Sequence, residues 1–132
     1  MIIDHIRDID EFNKLYNDRP MPVPYDYNFI VNNPCLYCFY DQNNGKLLGF
    51  ITVQREGGEL TLSGVSIRKN MSNIITAIIT VCDSFNEDIY SYTPLKHAGL
   101  VLKKAGFIET KNNDKPINNL TLKKYVRYKN GK

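Results

Sequence analysis

The sequence predicts an α/β (α+β) fold: a mixed, mostly antiparallel sheet of about six to seven strands with one central parallel pair, flanked by about four helices. Three observations carry this. First, the β-rich run 59–66 follows a Gly57-Gly58 turn, residues 72–85 carry apolar residues at helical spacing, and the β-rich run 89–92 leads into a further helical stretch that ends at Gly106. A strand, helix, strand order of this kind makes two parallel neighbours joined by a right-handed crossover, so both helices begin beside the carboxyl ends of the strands. Second, the β-rich runs 36–40 and 47–55 flank a polar segment containing Asn44-Gly45, a strong hairpin signal. Third, 132 residues with 42% hydrophobic content suit one domain, 1–132, with a single core.

The elements follow in order. Residues 1–6 read as a strand, and Asp8 with Glu11 has capping-box spacing ahead of Ile9, Phe12 and Leu15, which share a helix face. Pro20, Pro22 and Pro24 then enforce an extended segment, because they remove amide donors and bias their predecessors away from helix. A short helical turn is expected over 27–31. Three antiparallel strands precede the crossover helix, in which Ile74, Ile75, Ile78, Ile79, Val81, Cys82 and Phe85 surround most of the circumference, the pattern of a deeply buried helix. Thr93 can N-cap the last helix, with Pro94 in its first turn. After Phe107, a strand over 108–111, a polar turn through Asn112, Asp114 and Pro116, and a strand over 120–126 make a closing hairpin.

Composition narrows the function classes. A net charge of +3 and a pI near 8.7 permit nucleic-acid binding without demanding it. No apolar run approaches the length of a bilayer span, and Asp4, Arg7, Asp8, Asp10 and Glu11 interrupt the amino terminus as no signal peptide would, so a soluble, cytoplasmic protein without membrane contact is expected. Three cysteines make no disulfide framework, which agrees with a reducing compartment. Cys35 and Cys38 have zinc or redox spacing, but only Cys82 remains to complete a ligand set, and on a strand the two thiols point to opposite faces; no metal site is expected.

Residues 59–107, ending in Lys103-Lys104-Ala105-Gly106-Phe107, resemble the core of the GNAT superfamily, the acyl-CoA-dependent N-acyltransferases. The resemblance spans nearly the whole chain. It places Val65 at the close of the fourth strand and Gly106-Phe107 at the family's frequent final-helix ending. It implies acetyl transfer from acetyl-CoA to an amine, with backbone amides of Val65, Ser66 and Ile67 polarising the thioester carbonyl. The pyrophosphate would lie on the turn after that strand, at Arg68, Lys69, Asn70, Ser72 and Asn73, where amides and a helix terminus favour negative charge. The family's glycines fall on Met71 or nearby, Asn73 and Ile75, and its usual Arg or Gln falls on Asn70; none of the glycines is kept. Asn70 or Asn73 tolerates positive φ, Ile75 crowds the approach, and Arg68 and Lys69 can reach a phosphate directly. The same turn also reads as an ordinary solvated helix start.

There are two catalytic candidates, Glu59 from the same resemblance and His97 from its own chemistry. Glu59 lies six residues before Val65, where the histone-acetyltransferase branch has its glutamate base, and such a base must reach the acceptor amine directly or through water. Its alternative is a solvated strand start beside a Gly-Gly turn. His97 lies near the start of the final helix and has the chemistry of an acid or base near neutral pH, although first-turn histidines are more often plain surface residues. The family's Asn and its Tyr acid on that helix fall on Leu95 and Leu102, neither of which can donate a proton. Tyr90 and Tyr92, alternating on the fifth strand, either line the cleft or pack under a helix.

The chain also resembles the short GNAT-like proteins of tailed bacteriophages, in length, in the eroded glycine turn and in the leucine at the tyrosine place. That implies a second reading, a catalytically inactive GNAT-fold structural or interaction protein such as a bacteriophage virion or assembly component, located in the host cytoplasm or the virion. A third is nucleic-acid contact through the carboxyl-terminal Lys123, Lys124, Arg127, Lys129 and Lys132, interleaved with Tyr125 and Tyr128. A solvated last strand accounts for the same pattern.

Overall fold

The computed structural model describes residues 2–18, 27–63, 71–93, 96–110, 115–117 and 120–129. Among them the chain runs β1 (Ile2–Asp4), α1 (Ile9–Asp18), α2 (Tyr27–Asn32), β2 (Leu36–Tyr40), β3 (Leu47–Glu56), β4 (Glu59–Ser63), α3 (Met71–Asp83), β5 (Ile89–Thr93), α4 (Lys96–Lys104), β6 (Ile108–Glu109), β7 (Lys115–Ile117) and β8 (Leu120–Arg127). The strands form one mixed sheet in the order β1-β2-β3-β4-β5-β8-β6, with β7 also paired to β8. Every pairing is antiparallel except the central β4·β5 pair. The α+β class and the expected central parallel pair are therefore present.

Local chemistry sets the boundaries. Asp8 caps α1, its Oδ1 accepting from the amides of Asp10 at 2.9 Å and Glu11 at 3.3 Å. The reciprocal half of the expected capping box is replaced by a tertiary contact: Glu11 Oε2 accepts from the Leu47 amide at 2.9 Å and ties the helix to β3. Phe12 and Leu15 are buried as expected, whereas Ile9 stays exposed. The β2–β3 connection is longer than a two-residue turn: Asp41 N donates to Lys46 O, and the Asp41 carboxylate accepts from the amides of Asn43 and Asn44. Gly57 and Gly58, with φ of 56° and 85°, make the tight β3–β4 hairpin that closes on the Glu56↔Glu59 pair.

The end of α4 matches the expected stop. Phe107 N donates to Leu102 O at 2.9 Å and Gly106 N to Lys103 O at 3.1 Å, the paired bonds of a Schellman motif around Gly106 at φ 96°. Thr93 is the buried last residue of β5, and Pro94, with the 19–26 proline segment, lies outside the described residues. Of the expected polar turn, Asn112 and Asp114 lie outside the described residues, while Pro116 belongs to a strand, Lys115–Ile117, that pairs with residues 120–122 of β8. Proline is tolerated there because, among the described residues, β7 pairs with β8 alone and needs no second ladder.

The two faces of the sheet carry separate cores. Leu60, Leu62, Ile89 and Tyr125 pack under α3 and α4 with Ile74, Ile78, Val81, Val101 and Leu102. On the opposite face Phe12, Leu15 and Tyr16 of α1 cover Leu36, Cys38, Tyr40 and Phe50. Cys35 packs with the first cluster and Cys38 with the second, so the two thiols are separated as the strand reading requires. Among the described residues no cluster of His, Cys, Asp or Glu suits a metal ion, and no helix is long and apolar enough to cross a membrane.

Candidate functional site

The parallel pair is short. β4 and β5 pair at Leu60↔Ile89 and Thr61↔Tyr90 and, among the described residues, no further, although both strands continue to Ser63 and Thr93. Where the ladder stops, the buried Ser91 hydroxyl donates to Leu62 O at 2.9 Å, so a side chain satisfies a carbonyl beyond the last paired residues. The strands therefore part toward their carboxyl ends.

Alternation along the strands places Leu60, Leu62, Ile89, Ser91 and Tyr125 toward α3 and α4, and sends Glu59, Thr61, Tyr90, Tyr92 and Lys124 to the α1 face. There Thr52 and Ser63 pair across β3 and β4 with their hydroxyl oxygens 3.0 Å apart. Beside them lies a polar cluster. Glu59 Oε1 accepts from the Tyr92 hydroxyl at 2.7 Å, and Glu59 Oε2 accepts from Lys124 Nζ at 2.6 Å. The Lys124 ammonium also stands 4.7 Å from the Tyr90 ring centroid and 5.7 Å from that of Tyr92, within cation–π range of both.

This pair is largely shielded, with side-chain exposure of 12% for Lys124 and 30% for Glu59. The hydrogen bond to Glu59 holds the Lys124 ammonium above its usual pKa, against the opposing effect of burial. Burial first, and then the hydrogen bond to Glu59, raise the Tyr92 phenol. Both partners thus keep their protons and offer them to one carboxylate. An open cavity of about 330 Å³ adjoins the cluster at the amino-terminal end of the parallel pair, with Glu59, Tyr90, Asn86 and Lys129 in its wall.

The expected site residues fall into three groups. Glu59 sits in the cluster just described. His97 is exposed on α4, a helix packed on the other face, and the structure does not bring it to Glu59. Val65, Ser66, Ile67, Arg68, Lys69 and Asn70 lie outside the described residues, while Ser72 and Asn73 fall in the first turn of α3, with Asn73 half-buried. Ile75 is half-buried on the same helix. Leu102, at the place of the family's tyrosine acid, is buried in the core.

Sequence reasoning missed Lys124. It read as one basic residue of a solvated tail, but Lys124 is turned to Glu59, Arg127 donates to Asp83 Oδ1 and Ala105 O, and Tyr125 is buried. The signal that finds Lys124 is register: β8 pairs with β5 so that Lys124 stands opposite Tyr92. Ser91 was missed as well, because a serine between two tyrosines carries no mark of what its hydroxyl will meet.

No protein-family model and no curated protein matches the sequence. Solved structures do match. A NatB acetyltransferase complex bound to CoA and MES aligns with a TM-score of 0.70 at 13% identity, over 97% of this chain and 99% of that one. An N-acetyltransferase from Staphylococcus aureus Mu50 gives 0.70 at 14% identity, over 97% and 98%. An aminoglycoside 6'-acetyltransferase type Ii gives 0.63 at 16% identity, over 97% of each chain. At such identities the likeness is one of fold, and the fold is GNAT-like.

Proposed function

We propose that the protein is an acyl-CoA-dependent N-acyltransferase that transfers an acetyl group from acetyl-CoA to an amine. The single observation that carries this reading is the parting of β4 and β5 after Thr61 and Tyr90, beside a polar floor on the α1 face. A continuous ladder would leave no opening between the strands. Structures of the same fold that hold CoA, including the NatB complex, support the choice of co-substrate.

In this reading acetyl-CoA supplies an activated acetyl thioester, whose C–S bond breaks as the amide C–N bond forms and whose sulfur leaves as thiolate to be protonated by solvent. The chain's own residues divide the remaining work. Backbone amides of Val65, Ser66 and Ile67 would hold the acyl oxygen, and Arg68, Lys69, Asn70, Ser72 and Asn73 would hold the phosphates. Glu59 collects the proton the acceptor amine must lose.

The test is a calorimetric titration with acetyl-CoA. Micromolar binding, weakened about tenfold or more by Arg68→Ala or Lys69→Ala, is the expected result. No detectable heat at millimolar acetyl-CoA would overturn the reading. It would favour instead a catalytically silent interaction protein on the same scaffold, such as a virion or assembly component, for which the buried Leu102 at the acid's place is the supporting observation.

A further inference from the structure

The Glu59 cluster has the composition of a receptor for a positively charged guest: one carboxylate and two aromatic rings converging on a single point. That point already holds an ammonium, the one on Lys124, which has 2.6 Å to the carboxylate and 4.7 and 5.7 Å to the ring centroids. Lys124 comes from β8, a different strand from any of the three groups that receive it, and its stem reaches back from its place opposite Tyr92 to Glu59 on β4. The guest position also has a way in. Glu59 and Tyr90 both belong to the wall of the adjoining open cavity, whose rim carries the further carboxylates Glu87 and Asp88. Glu87 is bridged to Arg55 at 2.8 Å, and Asp88 accepts from the Lys129 amide at 3.0 Å.

We propose that Glu59, Tyr90 and Tyr92 form a binding site for a primary alkylammonium, and that Lys124 is its internal occupant, displaced when an acceptor amine enters from the cavity. The inference rests on the acyl-transfer reading, in that the guest would be the acceptor. Three properties of the cluster support it. The carboxylate supplies charge, the rings supply faces that favour a cation over a neutral group of the same size, and Tyr92 is fixed by its own bond to Glu59 at 2.7 Å. A guanidinium or a quaternary ammonium is wider than the lysine head the site now holds, so a primary ammonium is the class that fits. Displacement also has a chemical consequence. Once Lys124 withdraws, Glu59 Oε2 can accept from the guest ammonium in its place, whereas the ion pair keeps that oxygen engaged in the resting protein. Lys124 thus acts as a specificity-determining residue by competition.

The experiment uses the full chain without acetyl-CoA, so that its failure and a failure of cofactor binding are separate events. Lys124→Ala empties the site, and n-butylammonium is the probe. The melting temperature of Lys124→Ala should rise saturably with butylammonium, at a concentration about tenfold or more below any effect on the unsubstituted protein. Adding Glu59→Gln should abolish the response, and n-butanol should give none. An equal response in both proteins, or to the alcohol, would overturn the proposal. If Lys124→Ala does not fold, labelling of the unsubstituted protein with an acetylating reagent decides. Lys124 should react markedly more slowly than its exposed neighbour Lys123, because its ammonium is shielded and held by Glu59, and Glu59→Gln should narrow the difference. Equal rates for the two lysines would sink it.

Discussion

The Ser91 hydroxyl donates to the carbonyl oxygen of Leu62 at 2.9 Å, one residue beyond the point where β4 and β5 stop pairing. Ser91 is 5% exposed, so water does not compete for that carbonyl. This bond lets two adjacent parallel strands diverge without leaving an orphaned buried acceptor.

Removing it should cost stability. Ser91→Ala is expected to lower the unfolding free energy by about 1–3 kcal/mol in urea titrations, the range for stranding a buried partner. A change within about 0.5 kcal/mol, typical of an inconsequential surface substitution, would mean that Leu62 O is satisfied in another way.

Glu59 and His97 should separate in kinetics. Glu59→Gln is expected to lower the acetyl-transfer rate by about 100-fold or more with acetyl-CoA affinity unchanged, as loss of a general base does. His97→Ala should leave the rate nearly as it was, since His97 is exposed on a helix packed against the other face. Reversed effects would move the chemistry to α4.

Alkaline pH should dissolve the Glu59–Lys124 contribution. The folded Lys124 pKa is raised above its ordinary 10.5, so the stability it adds is fully present below that value and disappears as pH climbs through the higher folded pKa. Tyr92 acts in the same direction: its phenol ionises first in the unfolded chain, near its ordinary 10.0, which draws the equilibrium toward unfolding as pH rises. Unfolding followed from neutral pH to about pH 11 should show this decline, and Glu59→Gln should flatten it. An equally steep decline in that variant would assign the effect to other groups.

Gly99 should prove irreplaceable for a steric reason that its own helix does not reveal. A Cβ at Gly99 would run into the Tyr125 hydroxyl of β8, so Gly99→Ala should destabilise by about 1–3 kcal/mol despite alanine's better helix propensity. Adding Tyr125→Phe, which removes the obstructing oxygen, should recover most of the loss in a double-mutant cycle. Simple additivity of the two changes would refute the contact.

Much of the fold was legible because its signals are local. Positive φ at Gly57, Gly58 and Gly106 marks the β3–β4 hairpin and the end of α4, and the residues that demand those angles stand in the sequence at those places. The crossover helix was legible from its periodicity, with Ile74, Ala77, Ile78, Val81 and Cys82 all buried. Elsewhere a local signal was right in kind and overruled in detail. Glu11 had the spacing to complete a capping box, but the Leu47 amide of β3 lies within reach and takes the carboxylate. Pro116 reads as a turn residue until an edge strand with one neighbour makes its missing donor harmless.

The sequence by itself determined the order of strands and helices apart from β7, the turns that need glycine and the helix that must be buried, because each depends on residues within a few positions of one another. Tertiary structure alone decided the site. Glu59, Tyr92 and Lys124 are 33 and 65 positions apart from the first to each of the others, and only the β4-β5-β8 order with the Tyr92↔Lys124 register puts their head groups within hydrogen-bonding distance. Strand alternation gives each residue a face, but it does not say which strand will lie alongside, and a lysine on a basic last strand becomes the partner of a carboxylate only when the sheet closes around it.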